Sequence, residues 1–388
     1  MNQTFLEVQQ ALLAALHQKP FNHIISHPKA FYNMTMENGL SGLIFSVLEN
    51  DKTDPELYRR LNRNHYDYIA RDIKQLEAIK TIDTWLNEAH IDHLFMKGSI
   101  LKTYYPETYM RAMGDIDILI RSSSLLDVHA LFKKHDVVCT SKSKQHDVFE
   151  MPNKIVIEVH PSLYKPFNEH YELIEHVWDH THIEEDHRYR MNPEFELIYL
   201  LYHLAKHIES GGIGLRSVLD IGFYLIKMED RLDKEILNSM LDKTKLTQFF
   251  NVIGYVLDKT FHMNTSIQTI TALNDETYEG FIDYLITSGI HGIGSQNNIM
   301  TPRMVTYKRK KKSKFRLFID IMFPNMETMI GMYPWLNKAK ILLPTAWIFR
   351  WIKIMIKRPK QSLKKVKQLQ LSSKEIEDKQ RLFEKIGL

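Results

Sequence analysis

Met96-Lys97-Gly98-Ser99, then Gly114-Asp115-Ile116-Asp117-Ile118-Leu119-Ile120, then Ile155-Val156-Ile157-Glu158-Val159-His160 are the stretches whose reading decides the fold. The second and third alternate with the period of two that a strand requires, and the order is strand, small-residue turn, one helix-length, strand bearing Asp-x-Asp. Residues two apart on a strand point to one face, so Asp115 and Asp117 present their carboxylates side by side. Two such groups repel unless cations lie between them, and an apolar strand carrying both is costly without a metal. Oxygen ligands of this kind favour Mg²⁺ or Mn²⁺. On the third stretch Glu158 and His160 share a face with Val156, while Ile157 and Val159 share the other. If that strand lies beside the Asp-x-Asp strand, Glu158 completes a three-carboxylate metal site. Two ions held this way can bind a triphosphate and activate an acceptor hydroxyl for in-line attack on the α-phosphorus. Gly98 and Ser99 would then offer backbone N–H groups to the outer phosphates.

Working outward, residues 1–90 carry apolar positions every three or four residues, as in Leu43, Ile44, Val47 and Leu48 and in Ile73, Leu76, Ile79 and Ile82, which predicts helices. Strand signals begin at Ile91 with an apolar run to Met96, and residues 124–135 read as a helix between strands. After about 190 the strand signals fade, and Phe195–Lys206, Ile213–Ile226 and Lys234–Leu257 read as helices. The expected division is an N-terminal helical region over 1–90, an α/β core over 91–190, a helical domain over 191–300 and a basic, aromatic helical tail over 301–388. The class is α+β.

The 388 residues, 44% of them apolar, suffice for a sizeable core, and 51 Lys and Arg against 47 Asp and Glu is too small an excess to mark a nucleic-acid binder. The only cysteine, Cys139, rules out an internal disulfide and a thiolate-rich zinc site. That suits a reducing cytoplasm, and the N-terminus lacks the continuous apolar run of a signal peptide.

The pattern of an apolar residue, Gly-Ser, Asp-x-Asp and a later strand acid resembles the DNA polymerase β-like nucleotidyltransferase superfamily. More narrowly, Met96-Lys97-Gly98-Ser99, Tyr105-Pro106, Arg111, Gly114-Asp115-Ile116-Asp117 and Ile157-Glu158-Val159-His160 resemble the bacterial family of uncharacterised nucleotidyltransferases. The resemblance runs over roughly residues 90–225, and more weakly from Phe323-Pro324 to Trp347. It implies a small mixed-sheet core flanked by N-terminal helices and a larger C-terminal helical region. It further implies transfer of a nucleoside monophosphate from an NTP to an acceptor. Asp115, Asp117 and Glu158 would be the catalytic and metal-binding residues. The interval from Ser99 to Asp115 is longer than the superfamily's usual spacing.

Other residues admit two readings. Lys97 and Arg111 either neutralise phosphate or pair with nearby carboxylates. Further on, Lys206, His207 and Arg216 either line a nucleotide cleft, with Asp220 orienting Arg216, or form a polar clasp between two helices; His203 shares a face with His207. His160 either orders Glu158 or touches the acceptor, or is a core histidine. His176, His180, His182 and His187 read as a solvated linker, with a structural zinc site at His176 and His180 as the lesser reading. The tail around Trp335, Trp347 and Trp351 is too short and charged to span a bilayer, and reads as a packed subdomain or a peripheral membrane contact. The basic run from Lys308 to Arg316 could attract RNA phosphates. Two functions compete with an NTP-using enzyme that acts on an unknown acceptor. One is a nucleotide-binding scaffold that has lost the chemistry, and the other an RNA-directed nucleotidyltransferase docking through Lys310, Lys311 and Lys312.

Overall fold

The structure, a computed structural model, describes residues 2–143, 145–163, 169–210, 212–268, 271–289, 305, 314–357 and 373–388. Four helices come first: α1 (Gln3–Leu16), α2 (Pro28–Glu37), α3 (Ser41–Phe45) and α4 (Pro55–Glu88). The last starts at an Asp54 cap that accepts from the Leu57 amide, with Pro55 in its first turn. The strands follow: β1 (His93–Met96), β2 (Ile116–Ile120), β3 (Val138–Lys142), β4 (Asp147–Glu150), β5 (Val156–His160), β6 (Thr181–Glu185) and β7 (Arg188–Met191). They form one mixed sheet in the order β3-β4-β5-β2-β1-β7-β6. The β2 and β5 strands run parallel, as do β1 and β7, and the other neighbours are antiparallel. The fold is therefore α+β, a small mixed sheet flanked by helices.

The two faces of the sheet follow from the alternation. Phe95, Ile116, Ile118, Ile120, Phe149, Ile157 and Val159 pack against Ala78, Ile82 and Leu86 of α4 and against Val128 and Phe132 of α6 (Leu125–Lys134). On the other face Leu94, Met96 and Leu119 join a larger core with α7 (Pro193–Ser210), α8 (Leu215–Met228), α9 (Lys234–Thr244), α10 (Thr247–Phe261) and α11 (Asp275–Ser288). Phe5, Val8 and Leu12 of α1 belong to that same core, so helices from before and after the sheet share one interior. Toward β5 and β4 this second face turns polar, with Asp117, Glu158 and His160, and the cleft opens beside Asp117, toward α7 and α8.

Several local expectations need correcting. One helix does not fill the interval from Ser99 to Asp115: α5 (Gly98–Leu101) is a single turn, followed by 3₁₀ turns at Lys102–Tyr104 and Thr108–Met110. Pro106 restricts Tyr105 to the extended backbone it adopts there. The helix read over Lys234–Leu257 is two, broken where Lys245 adopts φ 53° and turns Leu246 into the core. The histidine-rich linker is instead a 3₁₀ segment followed by the β6–β7 hairpin, which extends the sheet beyond β1. Its strands are polar and mostly exposed, so no apolar alternation announced them. The tail carries α12 (Lys314–Met322), α13 (Met326–Met332), α14 (Leu343–Lys357) and α15 (Ser373–Lys385), with a small core of Met329, Leu336 and Ala346. Among the described residues no helix is long and apolar enough to cross a membrane. The run Lys308–Lys312 lies outside the described residues.

Candidate active site

The register of the sheet builds the acidic cluster. Asp117 pairs with Glu158 across the parallel β2–β5 ladder, so the two carboxylates rise from one face of adjacent strands. Asp115, just ahead of β2, lies within hydrogen-bonding reach of the Glu158 carboxyl. Burial and the charges of Asp117 and Glu158 push the Asp115 carboxyl up to about 6. The three acids read from the sequence therefore meet.

They are not equally satisfied. The Asp117 Oδ1 accepts from Lys97 Nζ at 2.5 Å and lies 2.9 Å from His160 Nε2. Burial would raise its pKa, but the Lys97 charge and the His160 hydrogen bond hold it well below the ordinary carboxylate range. His160 in turn lies 3.5 Å from Glu158 Oε2, and that contact lowers the Glu158 pKa. Lys97 reaches Asp117 through an unusual backbone, φ 48° and ψ −116°, which turns the chain sharply from β1 into α5. Such a conformation costs a residue with a Cβ about 1–3 kcal/mol. The strain is held by the Lys97–Asp117 pair on one side and by Gly98 on the other. A Cβ on Gly98 would lie 2.7 Å from Met113 Cγ and Sδ and 3.0 Å from Arg111 Nη1. Close packing thus explains this glycine without any ligand. Ser99 is buried with its hydroxyl on the Met113 sulfur, so only its amide remains for a phosphate.

The cleft beside Asp115 and Asp117 is lined by Lys97, Gly98, Arg111, His203 and Arg216, with Met113 and Leu200 among its apolar walls. Helix α7 contributes His203 here, not His207 or Lys206; the two histidine rings meet edge-on at 4.4 Å between centroids. Asp220 does not orient Arg216. It holds Arg111 with two hydrogen bonds, to Nε at 2.7 Å and Nη2 at 2.8 Å, and accepts from the Tyr105 hydroxyl at 2.8 Å. The spacing of Arg216 and Asp220 on α8 suggested the wrong partner because the competing guanidinium comes from another segment. Arg216 instead donates to the Ala112 carbonyl at 2.8 Å, and its Nε has no hydrogen-bond partner. Burial and the neighbouring Arg111 lower its pKa.

Helix α4 fixes the loop ahead of β2 from below: Arg71 donates to the Gly114 carbonyl and Gln75 to the Met113 carbonyl. Lys102 and Asp72 form a second buried ion pair next to this loop. Among the described residues, the group of metal-ligating side chains whose ligand atoms lie within 4.8 Å of one another is His146, Glu158 and His160. The zinc reading at His176 and His180 is not realised, since His180 stacks on Phe195 and His176 faces Asp179. His146 is the residue the sequence reading passed over. The stretch His146-Asp147-Val148-Phe149-Glu150 shows no clean alternation, so no sequence signal marked it.

An acidic cluster on the central strands of a mixed sheet, facing a cleft with lysine and arginine at its wall, fits the nucleotidyltransferase class. Residues 26–262 match the family described as "Uncharacterised nucleotidyltransferase", and the chain belongs to that family. Its name gives nucleotidyl transfer as the general activity and an NTP as the substrate. No curated protein and no solved structure matches the chain.

Proposed function

We propose that this protein transfers a nucleoside monophosphate from an NTP to an acceptor hydroxyl, with Mg²⁺ or Mn²⁺ bound by Asp115, Asp117 and Glu158. The observation that carries this reading is the β2–β5 register, which stands Asp117 beside Glu158 with Asp115 in reach. The donor set fits a hard divalent cation. Asp115 and Glu158 are close enough to share a proton, and burial together with the charges of Asp117 and Glu158 raises the Asp115 pKa, a cost that a cation would relieve. When bound, such an ion supplies charge neutralisation at the phosphates and lowers the pKa of a coordinated hydroxyl.

The chain's own groups supply the rest. Arg216, at the cleft wall, is placed to hold a phosphate oxygen. Lys97 keeps Asp117 ionised and contributes positive charge at the same wall. Arg111 positions the floor through Asp220 and does not act as a free phosphate fork. In the transfer, the acceptor oxygen bonds to the α-phosphorus, the bond to pyrophosphate breaks, and the hydroxyl proton passes to a carboxylate of the cluster.

The test is incubation with each α-labelled NTP and Mg²⁺ or Mn²⁺ against small-molecule, RNA and protein fractions. Label should appear on one acceptor class with the native chain and not with Asp115→Asn. Asp117→Ala is a poor choice, because removing one partner of a buried pair strands the Lys97 charge. Equal labelling by Asp115→Asn would refute the assignment.

A further inference from the structure

The face that carries the acidic cluster continues onto a third strand. In the antiparallel β4–β5 ladder Val148 lies opposite Glu158 and Asp147 opposite Val159, so the next step of the register sets His146 opposite His160. The contacts agree. His146 Nε2 is 3.7 Å from Glu158 Oε1, His160 Nε2 is 3.5 Å from Glu158 Oε2, and the two rings lie 5.1 Å apart between centroids. Glu158 thus has Asp115 in reach and faces two imidazoles, one of which also contacts Asp117.

Two imidazoles and one carboxylate are not a Mg²⁺ donor set. Mg²⁺ takes oxygen ligands, whereas imidazole nitrogen suits the first-row transition ions and zinc. The site is also partly built. Asp117 Oδ1 lies 2.9 Å from His160 Nε2, a contact that a cation taking this nitrogen would displace, while His146 and Glu158 keep side-chain exposures of 29% and 23%, which leaves an approach from solvent. His146 itself stands at the start of a short strand, held through Asp147, whose carboxylate lies 2.7 Å from His129 Nε2.

We infer that His146, Glu158 and His160 bind a borderline divalent cation (Mn²⁺, Co²⁺ or Zn²⁺) on the β4 side of Glu158, with Glu158 common to this site and to the acidic cluster. The site goes beyond nucleotidyl transfer and does not depend on it, since three ligands and an open side suffice to bind an ion whatever reaction follows.

The test uses the full chain freed of metal by chelation and titrated with Co²⁺, read by its visible absorption, with Zn²⁺ followed by calorimetry. One Co²⁺ per chain that Mg²⁺ at a comparable concentration does not displace is expected, with bands that indicate nitrogen ligation. His146→Gln should weaken Co²⁺ and Zn²⁺ binding by at least about tenfold. Asp115→Asn should weaken it far less. Thermal unfolding in chelator, unchanged in His146→Gln, separates ligand loss from misfolding, and this half-exposed strand end tolerates the change better than buried His160. Absent cobalt bands, an affinity unchanged by His146→Gln, or ready displacement by Mg²⁺ would each overturn the site. Cobalt binding that persists in a chain with no nucleotidyl transfer would count against the proposed reaction alone.

Discussion

Two buried ionic centres contribute to the lining of one cleft and differ in how their charge is met. At the clasp, the Asp220 carboxylate receives both arms of Arg111 and the Tyr105 hydroxyl, and nearby Lys102 is paired with Asp72. At the cluster, three carboxylates face Lys97 and His160, and Asp115 is left with a carboxyl pushed up to about 6 by burial and by Asp117 and Glu158. A satisfied centre holds elements together, whereas negative charge left over marks a place for something else to bind. The clasp joins Tyr105 and Arg111 to α8; the cluster leaves Asp115 at the cleft with its charge unmet.

That contrast can be broken most forcefully at the clasp. Asp220→Ala would bury the Arg111 guanidinium without its partner, and denaturant unfolding should show a loss of about 3–5 kcal/mol. A stable Asp220→Ala protein that had lost only activity would invert the assignment of the two centres.

The next largest effect on the fold is expected at Gly98. Alanine there meets Met113 at 2.7 Å, and overpacking of this kind costs about 1–3 kcal/mol in the same measurement. Wild-type stability in Gly98→Ala would mean that Met113 yields freely and that close packing does not explain the glycine.

At the cluster the sign should reverse. The folded pKa of Asp115, about 6, lies above its ordinary 3.8. Its contribution is therefore fully present below about pH 4 and is lost as pH rises through about 6. In metal-free buffer, Asp115→Asn should be more stable than the native chain above pH 6, by about 1–3 kcal/mol, and the gain should vanish near pH 4. Asp117 acts with the opposite sign and at lower pH, because Lys97 and His160 depress its pKa against the effect of burial. A flat difference between Asp115→Asn and the native chain across pH 4–7 would show that the carboxylates do not repel.

The strands that carry the cluster were legible because their chemistry is periodic. Alternation put Asp115 and Asp117 on one face and Glu158 with His160 on another strand's face, and the sheet needed only to set those strands side by side. The helices on either side were legible from their apolar spacing. What stayed hidden depends on partners distant in sequence. Arg111 and Asp220 are separated by most of the core, and local spacing favoured Arg216 instead. The β6–β7 hairpin and His146 escaped for a related reason. The β6–β7 strands are polar and lie at the sheet's edge, and His146 precedes the short β4, so in both places the hydrophobic pattern is weak.

The most direct measurement of the central claim is calorimetric binding of a non-hydrolysable NTP, with and without Mg²⁺ or Mn²⁺, to the native chain and to Asp115→Asn and Glu158→Gln. Metal-dependent binding to the native chain, weakened at least about tenfold in both variants, is the expected result. Binding of equal strength without the metal, or undiminished in either variant, would contradict a shared role of these carboxylates in holding a metal-bound nucleotide.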